Sequence, residues 1–186
     1  MKRAFSLAIL LAAALTAAAQ KSNDAIQKQI KSLKADKQIV LSYDKASNAS
    51  KIMATAGNFA DSEAKKAGIQ AMNFGMAFFY IGQSLAAPPD TINLTFWVLT
   101  KKPVFAASHR WTMPGAGGNP LDLGDARYAA KAEENMEYLN FKLSRTDLEK
   151  IAASTHPKFK LGDKDLTFTP EELQLIKNFL AVADVR

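Results

Sequence analysis

The side chains that could perform acid–base or nucleophilic chemistry are few and widely spaced in this sequence. His109 and His156 are its two histidines, and Ser108 directly precedes the first of them. A serine nucleophile needs a histidine within hydrogen-bond reach and commonly stands in a Gly-x-Ser-x-Gly turn, which the sequence lacks. Neighbouring side chains of a strand point to opposite faces, so His109 would not reach Ser108. We therefore assign no catalytic residue, interpret His109 as a partly buried structural histidine, and place His156 in a solvated turn.

The sequence also gives no indication of a metal or a cofactor. It contains no cysteine, which excludes disulfides, thiolate metal ligands and iron–sulfur clusters. Asp163 and Asp165 flank Lys164 in a segment that is too short for a calcium-binding loop and typical of a hairpin turn. The glycines of residues 114–120 lack the Lys-Ser or Lys-Thr that completes a phosphate-binding loop. We predict neither a metal site nor a cofactor.

Aromatic and cationic side chains indicate a binding surface instead. Trp97 shares the polar face of a predicted strand with threonine and asparagine, which exposes it unless a second layer covers that face. Both alternatives stay open at this point. An exposed aromatic side chain beside cations can stack on a sugar or a base, or anchor a protein partner. The predicted ligand or partner surface consists of Trp97, Lys101, Arg110 and Trp111.

The first nineteen residues have the three regions of a secretory signal peptide. Lys2 and Arg3 precede an apolar run at residues 4–15, and small residues follow at 17–19. The run is shorter than the roughly 20 residues that span a bilayer, so we predict cleavage near Ala19 and no stable membrane anchor. Cleavage lowers the formal net charge of +6 by two, and the remaining cations are spread along the chain. We therefore expect no nucleic-acid partner, and predict a periplasmic or secreted bacterial protein.

Hydrophobic periodicity predicts a helix followed by strands in the first part of the exported chain. Apolar residues at i, i+4 and i+7 indicate a helix over residues 22–35, whereas alternation with a period of two indicates strands from residue 38 onwards. Residues 57–66 are predicted to be a loop or a short helical turn. The strand at 104–113 is expected to complete a meander with the two strands before it. The predicted strands are residues 38–43, 51–56, 71–80, 91–99 and 104–113.

The last third of the sequence contains clear capping signals. Ser144 is expected to cap a helix that begins near Arg145, and Thr169-Pro170-Glu171-Glu172 is a complete helix start. Two short strands, at residues 158–161 and 166–168, are predicted between these helices. Residues 136–143 alternate as a strand does. For residues 127–134, propensity favours a helix and context favours a strand, and both alternatives stay open.

These elements predict an α+β fold in which residues 20–186 form a single domain. An antiparallel β-sheet or small β-sandwich takes most of the chain, with an N-terminal helix and two C-terminal helices at its edges.

Two stretches resemble a loosely defined group of exported bacterial proteins of unknown function. The first is Phe78-Phe79-Tyr80 followed by Pro88-Pro89-Asp90-Thr91-Ile92, and the second begins at Leu143-Ser144 and ends at Glu172-Leu173. The resemblance covers about residues 70–180. It implies a β-rich, sandwich-like domain with a few helices, and it implies no activity.

The leading functional hypothesis is a non-catalytic envelope or secreted module that binds an unidentified protein or small ligand through its sheet surface. The alternative is an exported hydrolase with an unrecognised site. A hydrolase built on His109 should bring that histidine together with a carboxylate and a hydroxyl group. A binding module should instead expose an aromatic patch around Trp97.

Overall fold

The computed structural model describes residues 20–57, 62–114, 120–155 and 158–185. The predicted signal peptide, His156 and most of the glycine-rich segment 114–120 lie outside the described residues. The described chain is an α+β protein built on antiparallel sheets, as the sequence predicts. No helix within the described ranges is long and apolar enough to cross a membrane.

The larger sheet has six antiparallel strands. Its strands alternate between buried apolar and more exposed side chains, which gives the sheet an inner face and an outer face. From one edge to the other, the strands are β2 (Ile39–Asp44), β3 (Ala49–Ala56), β4 (Ile69–Ile81), β6 (Thr91–Thr100), β10 (Met136–Ser144) and β9 (Arg127–Lys131).

A smaller sheet of four strands and a two-stranded ladder complete the β-structure of the described residues. The smaller sheet has the order β12 (Lys164–Thr167), β11 (Lys158–Leu161), β7 (Arg110–Met113) and β8 (Leu121–Asp125). The ladder pairs β1 (Lys21–Ser22) with β5 (Ser84–Leu85).

Three of the four described helices begin at capping residues that the sequence provides. The helices are α1 (Asn23–Ser32), α2 (Ser62–Lys66), α3 (Arg145–Ala152) and α4 (Pro170–Val182), of which α1, α3 and α4 have such caps. The hydroxyl of Ser22 accepts a hydrogen bond from the Ala25 N–H at 3.2 Å, and that of Ser144 accepts one from the Asp147 N–H at 3.0 Å. These caps confirm the predicted starts of α1 and α3.

Aromatic side chains fill the core between the inner face of the larger sheet and the elements packed on it. The ring of Phe96 in β6 lies 5.2 Å from that of Trp111 and 6.1 Å from that of Phe159, both in the smaller sheet. The ring of Phe78 in β4 meets Phe179 of α4 edge-on at 5.6 Å. The smaller sheet and α4 therefore cover different parts of the same inner face.

The two ends of the described chain are joined by side-chain hydrogen bonds. The Lys21 ammonium group donates to the carbonyl oxygens of Val182 at 3.0 Å and Asp184 at 2.5 Å. The Gln29 amide of α1 donates to the carbonyl of Ala181 at 3.0 Å. Because the last carbonyls of a helix have no partner within it, these bonds cap the C-terminal end of α4.

Of the predicted strand over residues 104–113, only Arg110–Met113 forms a strand, and the meander that it was expected to complete is wrong. Strand β7 begins only at Arg110 and pairs with β8 and β11, while β10 takes the place beside β6. The physical reason is a buried carboxylate, because Glu137 accepts the N–H groups of Val104 at 2.8 Å and Phe105 at 2.9 Å. Those groups are therefore unavailable to a ladder, and residues 101–109 cross between the sheets.

Most of residues 127–134 form a strand, which is the alternative that their context favours, and not the helix that their propensity favours. Strand β9 ends at Lys131, and a single 3-10 turn (Ala132–Glu134) leads into β10. Asn135 ends this turn in the left-handed region at φ 54°, a conformation that asparagine tolerates better than most residues.

The complete capping box of α4 leads to a prediction about pH. Glu172 Oε2 accepts the Thr169 N–H at 2.7 Å, and burial raises the pKa of this carboxyl to about 7. Between pH 4.5 and about 7 the folded state therefore holds a proton that the unfolded state has released. We expect the free energy of unfolding to fall, by up to about 3 kcal/mol, as the pH rises from 4.5 to 7.

Urea unfolding at pH 5 and pH 8 measures this effect, and Glu172→Gln should remove most of the difference. Glu171→Gln, at the exposed neighbouring position, is the control and should keep it. Equal pH dependence in the wild type and Glu172→Gln would contradict the prediction.

Candidate functional site

The four residues predicted to form a binding surface do not lie together. Trp97 is half-buried on the outer face of the larger sheet, whereas Trp111 is completely buried. Adjacent strand residues point to opposite faces, and Trp111 packs against Phe96, so the two tryptophans lie on opposite sides of the sheet. The prediction that Trp111 contributes to a contact surface is therefore wrong, because this side chain belongs to the aromatic core.

The two predicted cations occupy different surroundings. Arg110 forms ion pairs with Asp122 and Asp125 of β8, which offset its charge locally and raise the pKa of its guanidinium group. Lys101 is exposed in the connection between β6 and β7. No carboxylate pairs with Lys101 among the described residues. Of the two cations, only Lys101 is available to an anionic partner.

His109 does not assemble a hydrolase site in this structure. Its ring is half-buried and stacks on Tyr128, with 5.6 Å between centroids and 18° between planes. Its buried Nδ1 has no hydrogen-bond partner in the described part of the chain. The Tyr128 hydroxyl instead donates to Glu137 Oε1 at 3.0 Å, and burial together with this carboxylate raises the tyrosine pKa to about 12. The nearby hydroxyl and carboxylate thus bond each other rather than the histidine.

Glu137 is a buried carboxylate with a structural role that sequence reasoning missed. Its Oε2 accepts hydrogen bonds from the Thr100 hydroxyl at 3.2 Å and the Val104 N–H at 2.8 Å. Its Oε1 accepts the Phe105 N–H at 2.9 Å and the Tyr128 hydroxyl. Each carboxylate oxygen thus receives two donors, and together they fix the start of the β6–β7 connection. The sequence does not reveal this role, since nothing near Glu137 in the chain marks these partners.

The outer face of the larger sheet carries the most exposed large apolar side chains of the described chain. Phe79 is 60% exposed, Ile81 is 76% exposed and Val40 is 50% exposed. Strand register brings them into one area, because Val40 lies opposite Met53, which in turn lies opposite Ala77, two residues before Phe79. We call Val40, Met53, Ala77, Phe79 and Ile81 the outer patch.

Trp97 covers a glycine on the same face. A Cβ atom built at Gly75 would lie 2.4 Å from Cη2 and 2.8 Å from Cζ3 of the Trp97 ring. The indole therefore occupies the space that any larger residue at position 75 would need. Trp97 is thus half-buried against its own sheet, and neither of the two sequence-based alternatives, full exposure or cover by a second layer, describes it. The outer patch is the more exposed apolar surface of this face.

A sequence signal for the outer patch existed. The predicted strand 71–80 has one bulky face and one mostly small face, and Phe79 is the exception on the small face. A large aromatic side chain on a face that otherwise carries alanine, glycine and asparagine indicates a surface apolar position. Val40 gives a similar signal in β2, where it alternates with buried Ile39.

Within the described ranges, no group of three or more histidine, aspartate or glutamate side chains is placed to hold a metal ion.

Comparisons with protein-family models, with curated proteins and with solved structures gave no match to this chain. The class defined by the fold and the site is an α+β protein built on antiparallel sheets, with an apolar patch on the outer face of the larger sheet. The resemblance to exported bacterial proteins stays a prediction.

Proposed function

We propose that this chain is a non-catalytic, exported binding module that contacts a partner protein through the outer patch. The exposure of Phe79 and Ile81, on the same sheet face as the exposed Val40 two strands away, is the observation that carries the proposal. Large apolar side chains that stand together at a protein surface are typical of interaction sites, where aromatic residues act as anchors.

The charges on the outer face indicate what kind of partner fits. Lys51 lies over the Phe79 ring at 5.6 Å, and Lys142 and Arg127 occupy outward positions of β10 and β9. Among the described strand positions on the outer face of the larger sheet, the only carboxylate is Asp44, which accepts hydrogen bonds from the Ala46 N–H and the Ser47 hydroxyl. A partner segment with apolar side chains and flanking acidic residues would complement this surface.

The proposal also includes export of the chain and a sandwich arrangement of its two larger sheets. The basic, apolar and small regions of residues 1–19 support secretion to the periplasm or beyond. The first described strand begins at Lys21, close behind the predicted cleavage site at Ala19. The ring contacts between the larger and the smaller sheet support the sandwich arrangement.

The test replaces the two most exposed anchors. Phe79→Thr combined with Ile81→Thr removes apolar area but keeps residues that favour strands, so the fold should persist. The wild type, coupled to a resin, should capture a defined envelope protein from the source cells. The double variant should bind that protein, once purified, at least 10-fold more weakly. Asn93→Thr introduces the same residue on the same face and is the matched control.

Circular dichroism and thermal unfolding establish that the variants are folded. Binding of the purified partner that is unchanged by Phe79→Thr with Ile81→Thr would overturn the outer patch as the docking surface. Binding to anionic lipid vesicles in the absence of any protein partner would overturn the proposal that the outer patch binds a protein.

A further inference from the structure

A groove with a volume of about 860 Å³ opens where β6 leaves the larger sheet. Three separate parts of the chain form its walls. They are the segment from the end of α2 into β4 (residues 65–70), the start of the β6–β7 connection (residues 101–104), and Lys164 at the start of β12.

The groove is strongly cationic. Lys65, Lys101, Lys102 and Lys164 line it, and its lining contains no aspartate or glutamate. Lys164 forms an ion pair with Asp163 at 2.8 Å. The other three lysines have no carboxylate partner among the described residues. Like charges gathered around one cavity repel one another, and an anion bound between them relieves that repulsion.

Hydrogen bonds hold two of these lysines in place through the backbone. Glu137 accepts the N–H of Val104 directly after Lys101-Lys102-Pro103, and the Thr100 N–H donates to the carbonyl of Asn135 at 2.9 Å directly before it. The segment that carries Lys101 and Lys102 is therefore fixed on both sides. A site whose backbone is fixed in advance loses less conformational freedom when it binds a ligand.

A glycine turn positions the opposite wall. Gly68 has φ +89°, a conformation that favours glycine, and its N–H donates to the carbonyl of Lys65 at 3.0 Å. A Cβ built at Gly68 would lie 3.8 Å from Val104 Cγ2, which is ordinary van der Waals contact. The Lys65 wall and the Lys101–Lys102 wall thus approach each other at this point.

We propose that this lysine groove is a binding site for a small, soluble molecule with two or more phosphate groups. Ammonium groups bind phosphate oxygens as point charges, and several of them around one cavity favour a ligand with several charges. The volume lies within the range of about 300–1,000 Å³ that small-molecule sites occupy and exceeds what a single phosphate fills. Ile69, Pro103 and Val104 add apolar lining against which a non-phosphate part of the ligand can rest. The site is separate from the outer patch and does not depend on the proposed function.

Calorimetric titration with inorganic tripolyphosphate, diphosphate and monophosphate tests the proposal. We expect affinity to rise with the number of phosphate groups and to fall as the salt concentration increases. Lys101→Ala combined with Lys102→Ala should weaken tripolyphosphate binding at least 10-fold. Lys28→Ala combined with Lys31→Ala removes the same charge from exposed positions of α1 and should change binding less than 2-fold.

A second groove variant, Lys65→Ala with Lys164→Met, should reproduce the loss from the other walls, and circular dichroism checks that each variant is folded. Failure of tripolyphosphate to bind the wild type would overturn the site. Equal losses in the groove variants and the α1 control would also overturn it, because diffuse charge attraction would then explain the binding. Binding only to vesicles that contain phosphatidylglycerol would overturn the proposal of a soluble ligand and would identify a lipid headgroup as the ligand.

Discussion

Glu137→Gln is expected to lower the free energy of unfolding by about 3–5 kcal/mol. Each oxygen of this buried carboxylate receives two donors, from Thr100 and Val104 on one side and from Phe105 and Tyr128 on the other. A glutamine side chain of the same shape keeps one acceptor and presents an N–H₂ group to the other two donors. Buried donors that have no acceptor gain no hydrogen bond in return for the hydration they lose on folding, so the decrease in the free energy of unfolding is large.

Urea unfolding at pH 7 measures the change, and hydrogen exchange at the Val104 and Phe105 amides should accelerate in the variant. Glu134→Gln is the matched control, because this nearby carboxylate is exposed and pairs only with Lys131 at 2.9 Å. A surface pair of this kind contributes about 0–1 kcal/mol. A Glu137→Gln protein as stable as the wild type would show that the four hydrogen bonds do not hold the β6–β7 connection.

Trp111→Ala is expected to cost about 3–5 kcal/mol, whereas Trp97→Ala should cost about 1 kcal/mol. Trp111 is fully buried, with ring contacts to Phe96 and Phe141 of the larger sheet and Phe159 and Phe168 on the opposing side. Its removal leaves a cavity that the two sheets can close only in part. Trp97 rests on Gly75 at the surface, where water replaces the lost ring.

The two tryptophans can be compared within one experiment. Acrylamide should quench the fluorescence of a protein that keeps only Trp97 more strongly than that of one that keeps only Trp111. Trp111→Phe should cost less than Trp111→Ala, because it retains an aromatic ring and removes an indole N–H that has no partner in the described structure. Similar unfolding free energies for Trp111→Ala and Trp97→Ala would contradict the assignment of Trp111 to the core.

The helix starts could be predicted because their signals are local. Ser22, Ser144 and Thr169 each accept a hydrogen bond from a backbone N–H three residues further on, so both partners of each bond lie within four consecutive residues. Strands with regular alternation, such as β6 and β10, were predicted for the same reason. Period and capping are properties of short stretches of chain.

The strand at residues 104–113 failed because its competitor is distant in sequence. Phe105, Trp111 and Met113 are buried, but Ala107 is exposed, so the burial alternates only over residues 109–113. The backbone of Val104 and Phe105, however, is bonded by a side chain 32 to 33 residues away. Hydrophobic periodicity predicts which side chains are buried, but it does not predict which acceptor the backbone N–H groups bond.

The candidate sites were harder to predict than the fold, because each depends on residues from several elements. Alternation placed Trp97 on the outer side of its strand, but the burial of Trp111 follows from the packing of the smaller sheet. Lys101 was identified as a candidate, while Lys65 and Lys164 reach the same groove from opposite parts of the sequence. Without the tertiary structure, these lysines are only dispersed charges.

The bonds between Lys21 and the end of α4 have a consequence for the order in which the chain can fold. They join residues that are 161 and 163 positions apart, almost the whole length of the described chain. Strand β1 therefore cannot complete its contacts until α4 has been synthesised and docked. Closing so long a loop is slow compared with forming local structure. We therefore expect the contacts of Lys21 with the end of α4 to be among the last to form.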